Sequence, residues 1–423
     1  MTTEQEVMEF VEENDIKFIR LAFVDLFGTL KNIAIMPSEL SRALAGGISF
    51  DASSVKGFCG VEQSELFLRP DPNTITVLPW RPQTGRVARM MCDCITPEGE
   101  LFSGYSRTIL RRQAEKAAQQ GYRFRLGTEY EFYLFEMDEQ GRPTLTPQDE
   151  AGYMDVFPLD KGENVRRDVC LTLEAMHIPP ETSHHESGPG QNEIDFRYAG
   201  PLTTADHAMA FKSAVHTIAA QYGLHASFMP KPLAEESGNG LHVNLSIEKD
   251  GHNLFEPADG QLPQEAQHAM AGILRRIREI SLFLNPIPSS YKRLGAFEAP
   301  KEINWSYGNR SQLIRIPAAA PGAGRMELRS PDPACNPYLA FSLMIAAALE
   351  GMEEKAPLPA PMAASGELPA SLEEAIRLAE GSAFVREVVP ESMLDKYLEE
   401  KRRTLARYQA DPKAIQLLHW KTI

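Results

Sequence analysis

The sequence has few cysteines, no excess of positive charge and no export signal, and each shortage excludes a class of protein. Its five cysteines show no CxxC spacing, so neither a zinc site nor a disulfide framework is indicated. The 58 acidic residues outnumber the 43 lysines and arginines, which gives a net charge of -15. Nucleic-acid binding needs a basic surface, so no nucleic-acid partner is expected. We expect a protein of the reducing cytoplasm.

Long apolar segments and phosphate-binding glycine loops are also lacking. The first ten residues, MTTEQEVMEF, have neither the basic region nor the apolar core of a signal peptide. The longest apolar run, residues 338–349, is too short and too interrupted to cross a bilayer, and we expect it to form a buried helix. No Walker A or kinase glycine loop is present. The sequence therefore predicts no membrane association.

Local patterns divide the 423 residues into two predicted domains. Strand patterns run from residues 18–24 to 89–93 and alternate with turns, which predicts a small, mostly β domain in residues 1–103. Residues 104–423 are predicted to form an α+β domain whose helices cover one face of an antiparallel sheet. The helical patterns lie at about 104–120, 163–176, 203–221, 264–283, 337–354, 371–380 and 391–409. Thr3 and Glu6 offer a capping box for a first helix.

Four segments combine the strand period of two with charged polar faces: 123–135, 191–198, 241–247 and 325–329. In the first of them, Glu129 and Glu131 point to the same side, roughly 7 Å apart. Two carboxylates at that distance repel each other unless a positive charge lies between them. A solvated edge strand is the alternative explanation of this pair.

The polar faces and an adjacent turn together supply six candidate metal ligands: Glu129, Glu131, Glu186, Glu193, His242 and Glu327. Five carboxylates that converge without cations would cost several kcal/mol in repulsion and desolvation. Oxygen-rich ligation with one imidazole suits Mg²⁺ or Mn²⁺. Taken singly, each residue could instead lie on the surface, and His242 could be a core histidine.

A set of arginines accompanies these acids: Arg293, Arg310, Arg315, Arg325 and Arg329. Guanidinium groups bind phosphate and carboxylate through two parallel hydrogen bonds. Oxygen-ligated metals together with several arginines are the apparatus of phosphoryl transfer from a nucleotide to an acidic substrate.

The order of the motifs resembles glutamine synthetase, type I. The matching stretches are FVDLFG at 23–28, FDASS at 50–54, EYEF at 129–132, HHESGPGQNEI at 184–194, FMPKP at 228–232, GLH at 240–242, SYKRL at 290–294, EAP at 298–300, NRS at 309–311 and RSPDP at 329–333. The resemblance implies a β-grasp-like N-terminal domain and a catalytic domain. It also implies a homo-oligomer with active sites between subunits, expected as a dodecamer of two hexameric rings.

The resemblance further implies the reaction and its metals. ATP would activate the γ-carboxylate of glutamate as γ-glutamyl phosphate, and ammonia would displace phosphate to give glutamine. Each active site would hold two or three Mg²⁺ or Mn²⁺ ions. Glu131, Glu186 and Glu193 would bind one ion, while the second ion would be bound by Glu129, His242 and Glu327.

The remaining implied roles concern the substrates. Arg293, Arg329, Gly238 and Glu131 would contact glutamate. Asp51 of an adjacent subunit, Glu298 on a lid loop and Arg310 would act in catalysis, the two carboxylates by attracting ammonium and taking its proton. ATP would be bound by Tyr153, Glu181, Tyr198, Asn244, Ser246, Arg310, Arg315 and Arg325.

Three departures from the family pattern keep other functions open. The loop between Arg293 and Glu298 is one residue shorter than usual, Ser237 replaces an asparagine that contacts glutamate, and Ala52 replaces a glycine. The alternatives are a γ-glutamyl ligase for another amine, such as a polyamine or monoamine, and a catalytically silent nitrogen-sensing relative.

Overall fold

Two β-sheets, each with its own helices, make up the fold of the computed structural model, which describes residues 2–257 and 261–423. The first sheet has the strand order β2-β1-β6-β4-β3, with β5 beside β6, and only the β1–β6 pair in it is parallel. Its elements are α1 (Glu4–Glu13), β1 (Ile16–Val24), β2 (Leu30–Ile35), α2 (Leu40–Gly46), β3 (Ile48–Asp51), β4 (Glu65–Pro70), β5 (Thr76–Val77) and β6 (Arg86–Ile95). The capping box predicted for α1 is confirmed, since Thr3 and Glu6 exchange side-chain to backbone hydrogen bonds.

The second sheet has the order β14-β15-β16-β12-β7-β10-β9, with β8 and β11 on β7 and β13 on β12. It is antiparallel as predicted, except that β14 and β15 run parallel. Its strands are β7 (Tyr122–Met137), β8 (Pro143–Pro147), β9 (Pro180–His185), β10 (Gln191–Ala199), β11 (Leu224–Ser227), β12 (Leu241–Lys249), β13 (His252–Asn253), β14 (Trp305–Tyr307), β15 (Ile314–Ile316) and β16 (Met326–Leu328).

The helices that follow the first sheet are α3 (Ser106–Gln119), α4 (Glu163–Ala175), α5 (Pro201–Gln221), α6 (Gln264–Leu284), α7 (Ser290–Arg293), α8 (Pro337–Glu353), α9 (Leu372–Glu380), α10 (Ala383–Val388), α11 (Glu391–Ala410) and α12 (Pro412–Thr422). All seven helical patterns of this region correspond to observed helices. The sequence patterns did not predict four of the observed helices: α2, α7, α10 and α12. For α12 the signals were available, since Asp411 caps its first turn and Pro412 occupies its first position.

The apolar side of β7 lies against α5, which leaves the opposite side of the strand for charged residues. The Tyr130 ring lies 5.2 Å from that of Phe211 on α5, and Phe132 lies 5.6 Å from Phe228. From residue 130 to residue 135 both faces of the strand are buried, so β7 is a central strand rather than the solvated edge that the alternation also allowed. Helix α8 is buried almost throughout, as predicted for residues 338–349.

Arg107 on α3 joins the first sheet to the helical layer. Its side chain is fully buried and donates to Asp93 (2.5 Å) and Asp71 (2.8 Å) of the first sheet and to Asp206 of α5 (2.8 Å). A single guanidinium therefore neutralises carboxylates from both parts of the fold.

Within residues 2–257 and 261–423, none of the helices has both the length and the apolar character that crossing a membrane requires.

Candidate active site

The pairing of the strands sets the charged residues of the second sheet side by side. Glu131 of β7 lies opposite Glu193 of β10, and Glu129 lies between Asp195 of β10 and His242 of β12. On the other side of β12, Glu327 of β16 is paired with Asn244 of β12 and with Arg315 of β15. Because these pairs share one face of the sheet, residues more than 100 positions apart form a continuous polar row.

All six predicted metal ligands lie in this row or beside it. Their donor atoms form overlapping groups within 4.8 Å: Glu129, His242 and Glu327; Glu131, Glu193 and His242; and His184, Glu186 and Glu193. His242 links the first two groups, with Nδ1 at 3.2 Å from Glu129 Oε2 and Nε2 at 3.8 Å from Glu131 Oε1. The sequence reading did not single out His184, although it is the first residue of the HHESGPGQNEI stretch.

Three carboxylates of the row resist ionisation unless a cation compensates them. Burial, and then the neighbouring Glu131, raises the pKa of Glu186 to about 7. Burial followed by Glu129 raises the pKa of Asp195 to about 8, and burial followed by Asp195 raises the pKa of Glu193 well above its usual range. Such a set of oxygen donors fits divalent cations, which would neutralise charges that the surrounding protein does not.

Glu129 behaves differently because it already has partners. Burial opposes its ionisation, but the hydrogen bond with His242 and the one donated by Asn244 Nδ2 (2.8 Å) outweigh this and lower the pKa of Glu129 to about 2. Asn244 Oδ1 in turn accepts from Arg325 Nε at 2.9 Å. Asn244 thus bridges a carboxylate and a guanidinium in a fixed orientation.

Two adjoining cavities open on the row. The smaller, of about 350 Å³, is lined by residues that include Glu181, Tyr198, Asn244 and Ser246. The larger, of about 600 Å³, is lined by Tyr153, Gly238, Arg293, Glu298, Arg310, Arg315, Arg329 and five of the predicted metal ligands. Glu129, Asp195 and Arg325 line both cavities, so these three residues form the wall that the cavities share.

The structure divides the predicted ATP contacts between the cavities. Glu181, Tyr198, Asn244 and Ser246 face the smaller cavity. Tyr153, Arg310 and Arg315 line the larger one.

Glu327 is held more tightly than the sequence suggested. It is 1% exposed, and its carboxylate accepts hydrogen bonds from Arg315 Nη1 at 2.7 Å and from Arg329 Nη1. Both of its oxygens therefore have arginine partners, and a metal ion at this carboxylate would compete with them.

Arg293 is buried, and its terminal nitrogens donate to main-chain carbonyls. Nη1 reaches Ser330 O (2.9 Å) and Pro331 O (3.2 Å), while Nη2 reaches Arg329 O (3.1 Å). It lines the larger cavity and at the same time holds the segment that carries Arg329. Gly238 lies against it, and a Cβ there would approach Pro230 O to 2.4 Å, so only glycine fits.

Asp51 is the predicted site residue that lies apart from both the polar row and the cavities; Glu327 also lines neither cavity but belongs to the row. It lies at the end of β3 in the first sheet, exposed, and accepts hydrogen bonds from the Ser53 and Ser54 hydroxyls, both at 2.6 Å. These hydrogen bonds lower the pKa of Asp51. It lines neither cavity of its own chain.

Two residues of the row were missed in the sequence. Gln191 Nε2 donates to Glu131 Oε2 (3.1 Å) and to the Gly238 carbonyl (3.2 Å), which ties a cluster carboxylate to the loop before β12. Asp195 lies between the cavities, and its position two residues after Glu193 was the available signal. Gln191 could have been found from its place in the same HHESGPGQNEI stretch.

The mixed sheet and the two cavities along its polar row define a protein whose residues could hold divalent cations between two ligand sites. Family models described as "Glutamine synthetase, beta-Grasp domain" and "Glutamine synthetase, catalytic domain" match residues 15–97 and 103–419. The glutamine synthetase of Methanosarcina mazei is 44% identical to this chain, covering 97% of this chain and 95% of its own. That of Thermus thermophilus is 42% identical and covers 95% and 94%. This chain therefore belongs to the glutamine synthetase family, as its motifs predicted.

Solved structures agree with the fold. The structure described as "GmaS/ADP complex-Conformation 1" has a TM-score of 0.87 and 28% identity and covers 97% of both chains. The cryo-EM structure of Plasmodium falciparum glutamine synthetase has a TM-score of 0.88 at 24% identity over 97% of both chains. The predicted α+β architecture with a β-grasp N-terminal domain is confirmed.

Proposed function

We propose that this enzyme joins ammonia to the γ-carboxylate of L-glutamate at the expense of ATP, giving L-glutamine, ADP and phosphate. The observation that carries the proposal is the meeting of two cavities at one carboxylate–histidine row, with Glu129, Asp195 and Arg325 in both walls. One cavity can hold a nucleotide while the other, lined by arginines, holds an acidic substrate. The names of the related proteins support the same reaction.

The chemistry requires activation because a free carboxylate has no good leaving group. A γ-carboxylate oxygen attacks the γ-phosphorus of ATP, and the bond from that phosphorus to ADP breaks. Ammonia then attacks the acyl carbon of the γ-glutamyl phosphate, and the bond from that carbon to the phosphate oxygen breaks. The proton released by ammonium must pass to a nearby base.

Six side chains would hold two of the metal ions: Glu131, Glu186 and Glu193 for one, and Glu129, His242 and Glu327 for the other. When bound, Mg²⁺ or Mn²⁺ would neutralise the carboxylates and withdraw charge from the phosphate oxygens. Gln191 would orient Glu131, and Asn244 would orient Glu129, through the hydrogen bonds described above.

The substrates would lie on either side of these residues. We assign the adenosine part of ATP to Glu181, Tyr198, Asn244 and Ser246 in the smaller cavity. Arg310, Arg315 and Arg325 would face the phosphates where the cavities join, with Tyr153 beside them. Glutamate would occupy the larger cavity against Gly238, Arg293 and Arg329.

Ammonia would be received at the mouth of the larger cavity. Glu298 lies there on the loop after α7, and its carboxylate would attract ammonium and accept its proton. Asp51 of an adjacent subunit would complete this site, since Asp51 is exposed and lines neither cavity of its own chain.

The proposal therefore includes a homo-oligomer, in the form of two stacked hexameric rings, acting in the cytoplasm. We also propose that each subunit has two domains, an N-terminal domain of residues 1–103 and a catalytic domain of residues 104–423.

A panel of amines tests the assignment of the acceptor. Phosphate release is measured with ATP, Mg²⁺ and glutamate in the presence of ammonium, a monoamine or a polyamine, and the products are identified by mass. We expect ammonium to be among the best acceptors and to yield glutamine. A preference for a larger amine would instead favour the second candidate, a γ-glutamyl ligase of other amines, for which Ser237 and the short lid loop are the supporting observations.

A further inference from the structure

Two loops meet at the mouth of the larger cavity, and both touch the same lysine. The first, residues 230–240, carries Ser237 and Gly238, and the second, residues 293–300, carries Phe297 and Glu298. Lys231 belongs to the first loop, faces Phe297 of the second and is 6% exposed. Its Nζ donates a hydrogen bond to the carbonyl oxygen of Glu236 and lies 4.5 Å from the centroid of the Phe297 ring.

Lys231 is suited to hold both loops in place. It stands between Pro230 and Pro232, whose rings restrict the backbone there. Glu236, whose carbonyl it binds, precedes Ser237, so this hydrogen bond fixes the first loop where it reaches the cavity. A cation that is largely removed from water is attracted more strongly to an aromatic face than an exposed one.

Phe297 needs such a partner because little else explains its conformation. Its φ is 54°, a region that bulky residues rarely adopt, and its side chain is 63% exposed, so burial does not compensate for the strain. Gly295 also has a positive φ, of 76°. The loop that is one residue shorter than the family pattern therefore contains two left-handed residues between Arg293 and Glu298.

The turn itself links the ring of Phe297 to the carboxylate of Glu298. Ala299 N donates to Ala296 O at 3.1 Å, which makes Phe297 and Glu298 the two central residues of a tight turn. A ring held at Lys231 restricts the backbone torsions of Phe297, and because Glu298 is the next residue of the same turn its position is restricted with them.

We propose that Lys231 and Phe297 are positioning residues that hold Glu298 over the larger cavity, so that the activated carboxylate reacts with the amine and not with water. This inference rests on the function proposed above. Ammonium first gives one proton to Glu298; the resulting ammonia then forms the C–N bond, the bond from the acyl carbon to the phosphate oxygen breaks, and the second proton passes from nitrogen to the departing phosphate. Attack by water breaks the same bond but forms C–O, which regenerates glutamate and releases phosphate without product.

The experiment compares phosphate released with glutamine formed at saturating ATP, Mg²⁺ and glutamate while the ammonium concentration varies. The variants are Phe297→Leu, Lys231→Met, their combination, and Phe297→Tyr, which keeps an aromatic face. Lys249→Met is the matched control, since Lys249 Nζ lies 4.9 Å from the Tyr122 ring and lines neither cavity.

We expect one phosphate per glutamine in the unaltered protein, Phe297→Tyr and Lys249→Met. Phe297→Leu and Lys231→Met should each raise the ratio, and the KM for ammonium, about two- to fivefold, with the KM for ATP unchanged. The double variant should be no worse than Lys231→Met alone, because both changes remove the same contact between the lysine and the ring, and only the lysine change also removes the hydrogen bond to the Glu236 carbonyl.

Unchanged ratios in Phe297→Leu and Lys231→Met would overturn the inference, as would effects that simply add in the double variant. Because the Phe297 ring is largely exposed, its leucine variant should fold even if Lys231→Met does not. An unaltered protein that makes no glutamine from ammonium contradicts the proposed function instead, and the ratios are then measured with the amine that gives the most product.

Discussion

Replacement of Arg107 by methionine should destabilise the protein strongly, because this one buried side chain pairs with carboxylates from two parts of the fold. It is fully buried and binds Asp71 and Asp93 of the first sheet and Asp206 of α5. Methionine keeps much of the length and volume but leaves these carboxylates facing one another. Removal of one partner of a buried ion pair costs about 3–5 kcal/mol. Arg111, whose Nη2 lies 2.9 Å from Asp93, would still neutralise part of the negative charge. We therefore expect the free energy of unfolding to fall by about 3 kcal/mol.

The measurement is thermal unfolding at fixed protein concentration, with limited proteolysis of the chain that connects β6 to α3. Arg112→Met on the same helix is the control, because Arg112 is exposed and such changes usually stay within about 0.5 kcal/mol. A decrease in the free energy of unfolding below about 1 kcal/mol in Arg107→Met, or equal decreases in both variants, would refute the reasoning.

The pH dependence of the Arg107 variant gives a second check with a defined sign. In the unaltered protein burial opposes ionisation of Asp71, but the charge of Arg107 outweighs it and holds the pKa of Asp71 below its ordinary value. This contribution to stability is present above the ordinary pKa of 3.8 and is lost as the pH falls through the lower, folded-state value. Without Arg107, burial dominates and the pKa of Asp71 rises. The difference in folding stability between the variant and the unaltered protein should therefore become smaller as the pH falls. A gap that widens on acidification would contradict this account.

Three further changes test the site and the core. Glu131→Gln should reduce glutamate-dependent phosphate release at least about 100-fold while thermal stability is kept, and retained turnover would argue against its role as a ligand. Asn244→Leu should weaken ADP binding about 5- to 30-fold by calorimetry, with the KM for glutamate within about twofold of the unaltered value; an unchanged affinity would show that its bridge between Glu129 and Arg325 is not used. Burial lowers the pKa of Lys401 to about 8 from 10.5, so folding stability should rise between pH 8 and pH 10.5, where only the unfolded chain binds this proton. Lys401→Met should flatten that rise in a series of melting temperatures, and an identical slope would contradict it.

The polar row of the second sheet was predictable because side-chain direction along a strand has a period of two. Alternation placed Glu129 and Glu131 on one face, and the same rule placed His242 and Asn244 together on β12. Helices such as α6 and α8 were predictable for a similar reason, since their apolar residues recur at helical spacing. These features depend on neighbours in the chain and need no knowledge of the partner strands.

Contacts between distant segments could not be obtained in this way. That Glu327 lies between Arg315 and Arg329, or that Arg293 donates to three main-chain carbonyls, follows from the register of β15 and β16 and from the path of a loop. Lys231 and Phe297 meet across 66 positions of the chain, a pairing that no local pattern encodes. The sequence shows which groups carry charge, whereas the fold decides which of them are already paired.

That distinction separates the two carboxylates at the centre of β7. Glu129 is held ionised by its hydrogen bonds with His242, which lines the larger cavity, and with Asn244, which lines the smaller one. Glu131 accepts from Gln191 Nε2 and from Gly240 N (2.8 Å), on the side of the loop that lines the larger cavity. Asn244 thus orients Glu129 from the smaller cavity and Gln191 orients Glu131 from the larger one, although both carboxylates lie on one face of one strand. This geometry supports the proposal that they serve different metal ions, Glu129 on the nucleotide side and Glu131 on the glutamate side, and it accounts for how a single strand can place two like charges so close together.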